Sequence, residues 1–268
     1  MPFAQNQDVN IFWELEGKGE PVLLIMGLGY TREMWHRIVP ALSSTYSVIT
    51  LDNRGVGATD RVSKPFSIAN MADDAALVLD AAGVDRAHVF GISMGGMIAQ
   101  ELALRHSSRL RSLILGCTTC GGPEAVAADP EVLEVLQARA TMAPAEGVRA
   151  MVPYIYDART PRERVEEDLE IRLRTFPAAQ SYLAQLRAIQ SWSSHNRLSS
   201  IGIPTLVIHG ESDRLIPPEN GRILARAIPG AKLSILESAS HIFPTDQPAM
   251  TLELVTSFFS DCSHSSAP

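Results

Sequence analysis

Residues 87–104 read Ala-His-Val-Phe-Gly-Ile-Ser-Met-Gly-Gly-Met-Ile-Ala-Gln-Glu-Leu-Ala-Leu, and the fold turns on them. The β-branched and aromatic run at 88–90 predicts a strand. Gly91-Ile-Ser-Met-Gly95 predicts a sharp turn, and the apolar spacing that follows predicts a helix. A strand that turns directly into a helix crowds its own flanks. Glycine therefore stands where a side chain would not fit, and Ser93 is held in a strained backbone conformation. A bare G-x-S-x-G is common by chance. With a strand before it and a helix after it, the motif reads as a nucleophile elbow. Ser93 Oγ is then expected above the sheet edge, with a helix N-terminus beneath it that favours negative charge.

Working outward, the chain alternates strand and helix. Strands are expected at 9–16, 21–26 and 46–51, helices at 31–42 and 68–82, and a strand at 113–115 after the elbow helix. This rhythm predicts a mostly parallel sheet with helices on both faces. From about 123 to 194 it breaks, and only helical stretches appear, at 130–140, 145–156, 161–175 and 178–192. Alternation then resumes with a buried strand at 204–210, a helix at 219–228, a strand at 231–236 and a closing helix at 245–259. The expected organisation is an α/β core in two parts, 1–122 and 196–260, a helical cap inserted at 123–195, and a frayed tail at 261–268.

At 268 residues and 46% hydrophobic composition the chain can bury one large core. A net charge of −7 argues against nucleic acid or an anionic membrane surface as partner. No apolar run is long enough to cross a bilayer, and the first residues lack the basic and apolar regions of a secretory signal, so the cytoplasm is the expected compartment. No segment marks an association interface, and the oligomeric state stays open. Cys117-Thr-Thr-Cys120 leaves a strand for the loop Gly121-Gly122-Pro123 instead of opening a helix, which disfavours a redox dithiol. A zinc site would have to recruit Cys262 and His264 from the tail and is not expected.

A serine hydroxyl needs a base and an orienting carboxylate. Among seven histidines, His88, His106 and His209 sit on strands or a helix end and read as structural. His36 and His195 suit ordinary surface positions, and His264 is in the tail. His241 lies just beyond the last strand, where active sites of open α/β sheets form. Asp213 follows the strand at 204–210 in the same way. Glu211 is the nearest rival, while Asp80 and Asp85 suit a helix end and a turn. The order Ser93, Asp213, His241 is the one this architecture uses. An oxyanion hole needs two backbone N–H groups. Met94, after the nucleophile, is expected to supply one and Leu28 the other. Gly27 and Gly29 let the Leu28 backbone bend toward substrate and are expected at the pocket wall. Met142, Met151, Tyr154, Tyr156 and Trp192 form an apolar set in the insert, of which Trp192 is expected to reach the pocket.

With these residues in place the chain resembles the α/β-hydrolase superfamily, and within it the small bacterial esterases that include 3-oxoadipate enol-lactonase. The resemblance rests on 21–29, Trp35, Leu51-Asp-Asn-Arg-Gly-Val-Gly-Ala-Thr-Asp60, 91–99, 204–213 and Ser240-His241, and runs nearly end to end. It implies an eight-stranded, mostly parallel sheet with a helical lid. It also implies a Ser93–His241–Asp213 triad that cleaves a small carboxylic ester or lactone through an acyl-enzyme, with no metal or cofactor. Two departures stand out: Met26-Gly27 where the family often has His-Gly, and no acidic residue in 192–198, where enol-lactonases tend to carry one. Serine at 93 disfavours the relatives with an aspartate nucleophile. The same triad could instead cleave carbon–carbon bonds or form peracids, although no cluster of polar groups in the insert suggests a dienol site. A non-catalytic ligand-binding relative is the third possibility, against which the intact triad counts.

Overall fold

A computed structural model describes residues 2–6, 9–62, 64–138 and 142–264. Its strands are β1 (Phe3–Asn6), β2 (Val9–Glu16), β3 (Pro21–Ile25), β4 (Ser47–Leu51), β5 (Ala87–Ile92), β6 (Leu110–Gly116), β7 (Thr205–Gly210) and β8 (Lys232–Leu236). They form one eight-stranded sheet in the order β1-β2-β4-β3-β5-β6-β7-β8. β1 with β2 and β2 with β4 pair antiparallel, and every other neighbour pair is parallel. The helices are α1 (Val39–Leu42), α2 (Ile68–Ala81), α3 (Met94–Arg105), α4 (Pro130–Ala138), α5 (Pro144–Ala150), α6 (Val152–Ile155), α7 (Arg162–Arg174), α8 (Ala179–Gln190), α9 (Glu219–Ala227), α10 (Phe243–Asp246) and α11 (Pro248–His264).

The central strands are continuous apolar runs because helices cover both faces. Successive side chains of β3 point to opposite sides. Val22 and Leu24 join Trp35, Phe90 and Phe243 in the core under α1 and α11, while Leu23 and Ile25 join the core under α2 and α3. At the start of α2, Ser67 Oγ accepts the Asn70 N–H and Asn70 Oδ1 accepts the Ser67 N–H, a reciprocal cap that fixes the boundary.

Between β6 and β7 the described residues carry α4 to α8 and no strand; an isolated antiparallel bridge, Gly121 to Ser193, ties the two ends of the insert together. Val132, Val148, Met151, Ile155, Val165 and Leu169 give the insert a small core of its own, completed by Ile242 from the main body.

Three expectations from the sequence change. The strand β1 is new; it pairs edge-on with β2, and Phe3 meets Phe12 at 5.4 Å. The helix expected at 31–42 is a 3-10 turn, Arg32–Trp35, followed by the single turn α1, because Pro40 offers no N–H to continue a longer helix. The closing helix is interrupted at Gln247, whose backbone leaves the helical region (φ −129°, ψ 64°) before Pro248, which disfavours a helical conformation in the residue ahead of it. It then continues to His264 with Cys262 buried, so the first four residues of the expected tail are helical. Residues 265–268 of that tail lie outside the described residues. No described helix is long and apolar enough to cross a membrane.

Candidate active site

Ser93 sits between β5 and α3 with φ 54° and ψ −124°, a conformation rare for a residue with a side chain. The neighbouring glycines explain why it persists. A Cβ on Gly91 would run into the Gly95 carbonyl oxygen, and a Cβ on Gly95 into that of Ile25. The turn is tied down by Ser93 N–H to Gly116 O (2.9 Å) and by Thr118 Oγ1 to Ser93 O (2.7 Å).

Asp213 follows β7 and is fully enclosed. Its Oδ1 accepts the N–H groups of Leu215 (3.0 Å) and Ile216 (2.9 Å), which fixes the carboxylate plane. Its Oδ2 receives His241 Nδ1 at 2.9 Å. Burial opposes ionisation of this carboxyl. Attraction to His241 when that ring is protonated, with hydrogen bonds from His209 and His241, outweighs burial and holds the carboxyl below the ordinary aspartate range. An ionised carboxylate can only accept, so Nδ1 of His241 carries a proton and Nε2 of the neutral ring is left as an acceptor. Ser93 and His241 both line one cavity of about 510 Å³. The Ser93 hydroxyl is not hydrogen-bonded to the ring in this conformation; such contacts commonly tighten only with substrate bound.

Leu28 and Met94 line the same cavity. Among the described residues neither backbone N–H has a protein acceptor: Met94 is the first residue of α3, and Leu28 lies past the end of the β3 ladder. The residues that carry two unpaired amides, a strained hydroxyl and an unpaired ring nitrogen therefore line one cavity. That set can bind a carbonyl oxygen, attack its carbon and accept a proton.

The other histidines are elsewhere. His209 Nε2 bonds Ile216 O (2.7 Å) behind Asp213, His88 bonds Ser112 (2.7 Å), and His106 pairs with Asp73 (2.8 Å). His36 lies 3.5 Å from the buried Asp168, a half-buried position instead of the ordinary surface one expected, and His195 Nδ1 lies 3.9 Å from Cys120. Glu211 and Asp85 are exposed, and Asp80 pairs with Arg109. Cys117 and Cys120 are buried free thiols, which burial pushes up in pKa.

Residues 20–248 match the family model described as the alpha/beta hydrolase fold. The chain belongs to the alpha/beta hydrolase family. It is 33% identical to RutD of Azorhizobium caulinodans, by name a carbamate hydrolase, over 96% of this chain and 98% of that one. Among solved structures it resembles Est816, described as an N-acyl homoserine lactone degrading enzyme, with 30% identity and TM-score 0.83 over 96% of this chain and all (100%) of that one. The enol-lactonase from Burkholderia xenovorans LB400 is 27% identical, with TM-score 0.85 over 97% of this chain and 100% of that one.

Within this alpha/beta hydrolase the loop after β3 is anchored without the histidine that Met26 replaces. Asn53 Nδ2 donates to Met26 O (2.8 Å), and Gln185 Oε1, from α8, accepts the Gly29 N–H (2.8 Å). Gly29 lines the cavity at φ 73°, a conformation that favours glycine, and a Cβ there would crowd the Tyr182 ring at 3.0 Å. Gly27 does not line it; a Cβ there would lie 3.0 Å from Ser93 Cβ, so this glycine makes room for the nucleophile.

Trp192 does not reach the pocket. Its Nε1 donates to Glu101 Oε2 (2.9 Å), and Glu101 also holds Arg197, so the indole anchors the root of the insert. A buried indole N–H needs an acceptor, and this one lies on α3 outside the cavity. Of the apolar set expected in the insert only Met151 lines the cavity; Tyr154 bonds Glu131 and Tyr156 bonds Asp168. The wall is made instead by residues such as Tyr30, Leu136, Arg172, Phe176, Tyr182 and Leu186.

The insert is also knitted to the loop that carries His241. Asp246 Oδ2 accepts the Ser240 N–H (2.7 Å) and its Oδ1 the Thr160 hydroxyl (2.6 Å), while Ile242 N–H donates to Ile155 O (2.9 Å). Burial raises Asp246 to about 6 despite these hydrogen bonds. Asp157 accepts from Ser212 beside Asp213, and Arg159 holds it at about 2.

Proposed function

We propose that the chain is a serine hydrolase that cleaves small carboxylic esters or lactones through an acyl-enzyme. Ser93 Oγ attacks the carbonyl carbon while His241 Nε2 takes its proton. The oxyanion that forms is held by the Leu28 and Met94 amides. Collapse breaks the ester C–O bond, and the imidazolium returns the proton to the departing alkoxide; in a lactone that alcohol stays tethered to the acyl group. Water then attacks the acyl-enzyme with His241 as base, releasing the acid and restoring Ser93. Asp213 fixes the ring tautomer and balances the imidazolium charge. The helical insert acts as a lid that keeps bulk water from the cavity.

One observation carries this reading: the Asp213–His241 hydrogen bond leaves Nε2 free beside the cavity that also holds Ser93 on its strained turn. The esterase and lactonase names among the relatives support the bond type. Ser93→Ala is expected to fold as the parent does and to lose about 10⁴-fold or more of p-nitrophenyl ester turnover. Retained activity removes Ser93 from the mechanism. Hydrolysis of a carbon–carbon bond by the same side chains gains some support from Gln137, Arg172 and Gln190 in the cavity wall, polar groups of the insert that the sequence did not disclose. Turnover of a coloured dienol without turnover of simple esters selects that reading.

A further inference from the structure

The turn that carries Leu28 has little of its own to hold it. Met26, Gly27, Leu28 and Gly29 carry no strongly hydrogen-bonding side chain, so its side-chain anchors are borrowed from other parts of the chain. Three successive peptide units are each held at one atom. Met26 O receives Asn53 Nδ2 (2.8 Å), Gly27 O receives the Tyr30 N–H (3.3 Å), and the Gly29 N–H is received by Gln185 Oε1 (2.8 Å). A peptide unit is planar and trans, so a held Gly27 carbonyl also fixes which way the Leu28 N–H of the same unit faces. Of the three anchors, only Gln185 comes from the insert.

Gln185 is fully buried in the middle of α8. With Ser181 and Ala188 it makes the buried stripe of that helix, at a spacing where apolar side chains ordinarily stand. Both ends of its amide are used. While the oxygen accepts from Gly29, Nε2 donates to Arg54 O (2.8 Å). Arg54 is itself fixed, since its Nη2 donates to Oδ1 of the buried Asp74 on α2 (2.8 Å). The helix comes this close because glycines with φ of 73° and 81° face it: a Cβ on Gly29 would crowd Tyr182, and one on Gly55 would lie 2.8 Å from Ser181 Cβ. A carboxylate has no donor for Arg54 O, and asparagine is one methylene short, so the bridge between these two backbone atoms calls for glutamine. Lifting α8 would leave the Gly29 N–H and Arg54 O unpaired together, which burial makes costly.

We infer that Gln185 is a positioning residue of the oxyanion hole: it holds the turn that presents the Leu28 amide, and it makes that half of the hole depend on a docked insert. The Met94 amide, at the start of α3 on the core, has no such dependence. For what the Leu28 amide stabilises, this inference rests on the hydrolase reading above; the clamp itself can be measured without turnover.

Gln185→Met keeps the length of the side chain and removes both hydrogen bonds. An oxyanion exists only after Ser93 attacks, so the loss should fall on the transition state and not on ester binding. For p-nitrophenyl butyrate, kcat is expected to fall about 10- to 100-fold, less than for loss of a whole donor, with KM within about threefold of the parent. The inhibition constant of an alkyl trifluoromethyl ketone, whose adduct with Ser93 carries the same oxyanion, should rise by the factor by which kcat/KM falls. Trp192→Phe, which loosens the root of the insert away from this turn, should reproduce neither change. A rise in KM with kcat unchanged, a ketone constant that does not follow kcat/KM, or the same kcat loss in Trp192→Phe overturns the inference.

Hydrogen exchange at the Gly29 amide, read residue by residue, separates the clamp from the hydrolase reading. It should be slow in the parent and at least about 100-fold faster in Gln185→Met. If the parent cleaves no ester and is not inhibited by the ketone, the hydrolase reading fails, while exchange that still responds to Gln185 sustains the clamp between insert and turn. If the parent turns over esters but Gly29 exchange is unchanged in Gln185→Met, the clamp fails and the hydrolase reading stands. Should Gln185→Met not fold, Gln185→Asn takes its place, an amide too short to span both atoms, with the same pattern expected; fast Gly29 exchange in the parent alone overturns the inference.

Discussion

The floor of the cavity is made of loops leaving β3, β5, β7 and β8, and its roof of the helical insert; they face the same ligand space but are held by different forces. On the floor, backbone geometry sets each group. Ser93 is fixed by glycine contacts on both sides, Asp213 by two amides from its own loop, and Leu28 by the clamps on Met26 and Gly29. In the roof, Leu136, Arg172, Tyr182 and Leu186 are placed only by how their helices pack. The proposed reactive groups therefore stand at strand ends, while the insert supplies much of the cavity wall and, through Gln185 and Thr160, also braces the loops that carry Leu28 and His241.

If this division holds, the largest effect belongs to the floor. Asp213→Asn keeps an oxygen for the Leu215 and Ile216 amides but turns the amide NH₂ toward His241 Nδ1, which favours the wrong tautomer. Its kcat on p-nitrophenyl esters is expected to fall about 10⁴-fold with the far-ultraviolet dichroism unchanged. A loss under tenfold would mean that the floor is not arranged as described.

The seam between floor and roof gives a smaller effect, read as stability. Asp246 has a folded pKa near 6, above its unfolded value, so it binds a proton more tightly in the folded state. Its contribution to stability therefore rises as pH falls through 6 toward 4, by up to about 3 kcal/mol. Asp157 and Asp213 act in the opposite sense: held low in the folded state, they stabilise it above the unfolded carboxylate pKa, and that stabilisation is lost as pH falls further through their folded values, near 2 for Asp157. Urea titrations from pH 7.5 to 4.5 should show the cost of Asp246→Asn growing as pH falls. A cost that stays flat across that range removes Asp246 from the seam.

The smallest effect is expected at the root of the roof. Trp192→Phe keeps an aromatic ring but loses the second ring of the indole and the hydrogen bond to Glu101, so thermal unfolding should register a loss of about 1–3 kcal/mol. kcat/KM for small esters should stay within about twofold, because Trp192 is outside the cavity. A change in chain-length preference would return the indole to the pocket wall.

The same contrast explains what the sequence disclosed. Gly91 and Gly95 are legible because their sterics allow nothing else, and Asp213 and His241 because they stand just past strands whose runs are unmistakable. Seven of the eight strands follow from such runs. β1 is only four residues long, and nothing in its pattern separates it from a disordered start. The roof is less legible, since an apolar stripe on a helix looks the same whether it faces the insert's own core or a ligand. Trp192, expected from the apolar set of the insert to reach the pocket, instead has its indole N–H satisfied by Glu101.

The central claim is that Ser93 is made nucleophilic by His241. A fluorophosphonate probe at neutral pH, followed by peptide mass spectrometry of the parent and His241→Ala proteins, tests it most directly. The expected result is a single phosphonyl adduct on the peptide containing Ser93, abolished by His241→Ala. An adduct on another residue, no adduct in the parent, or labelling that survives His241→Ala would contradict it.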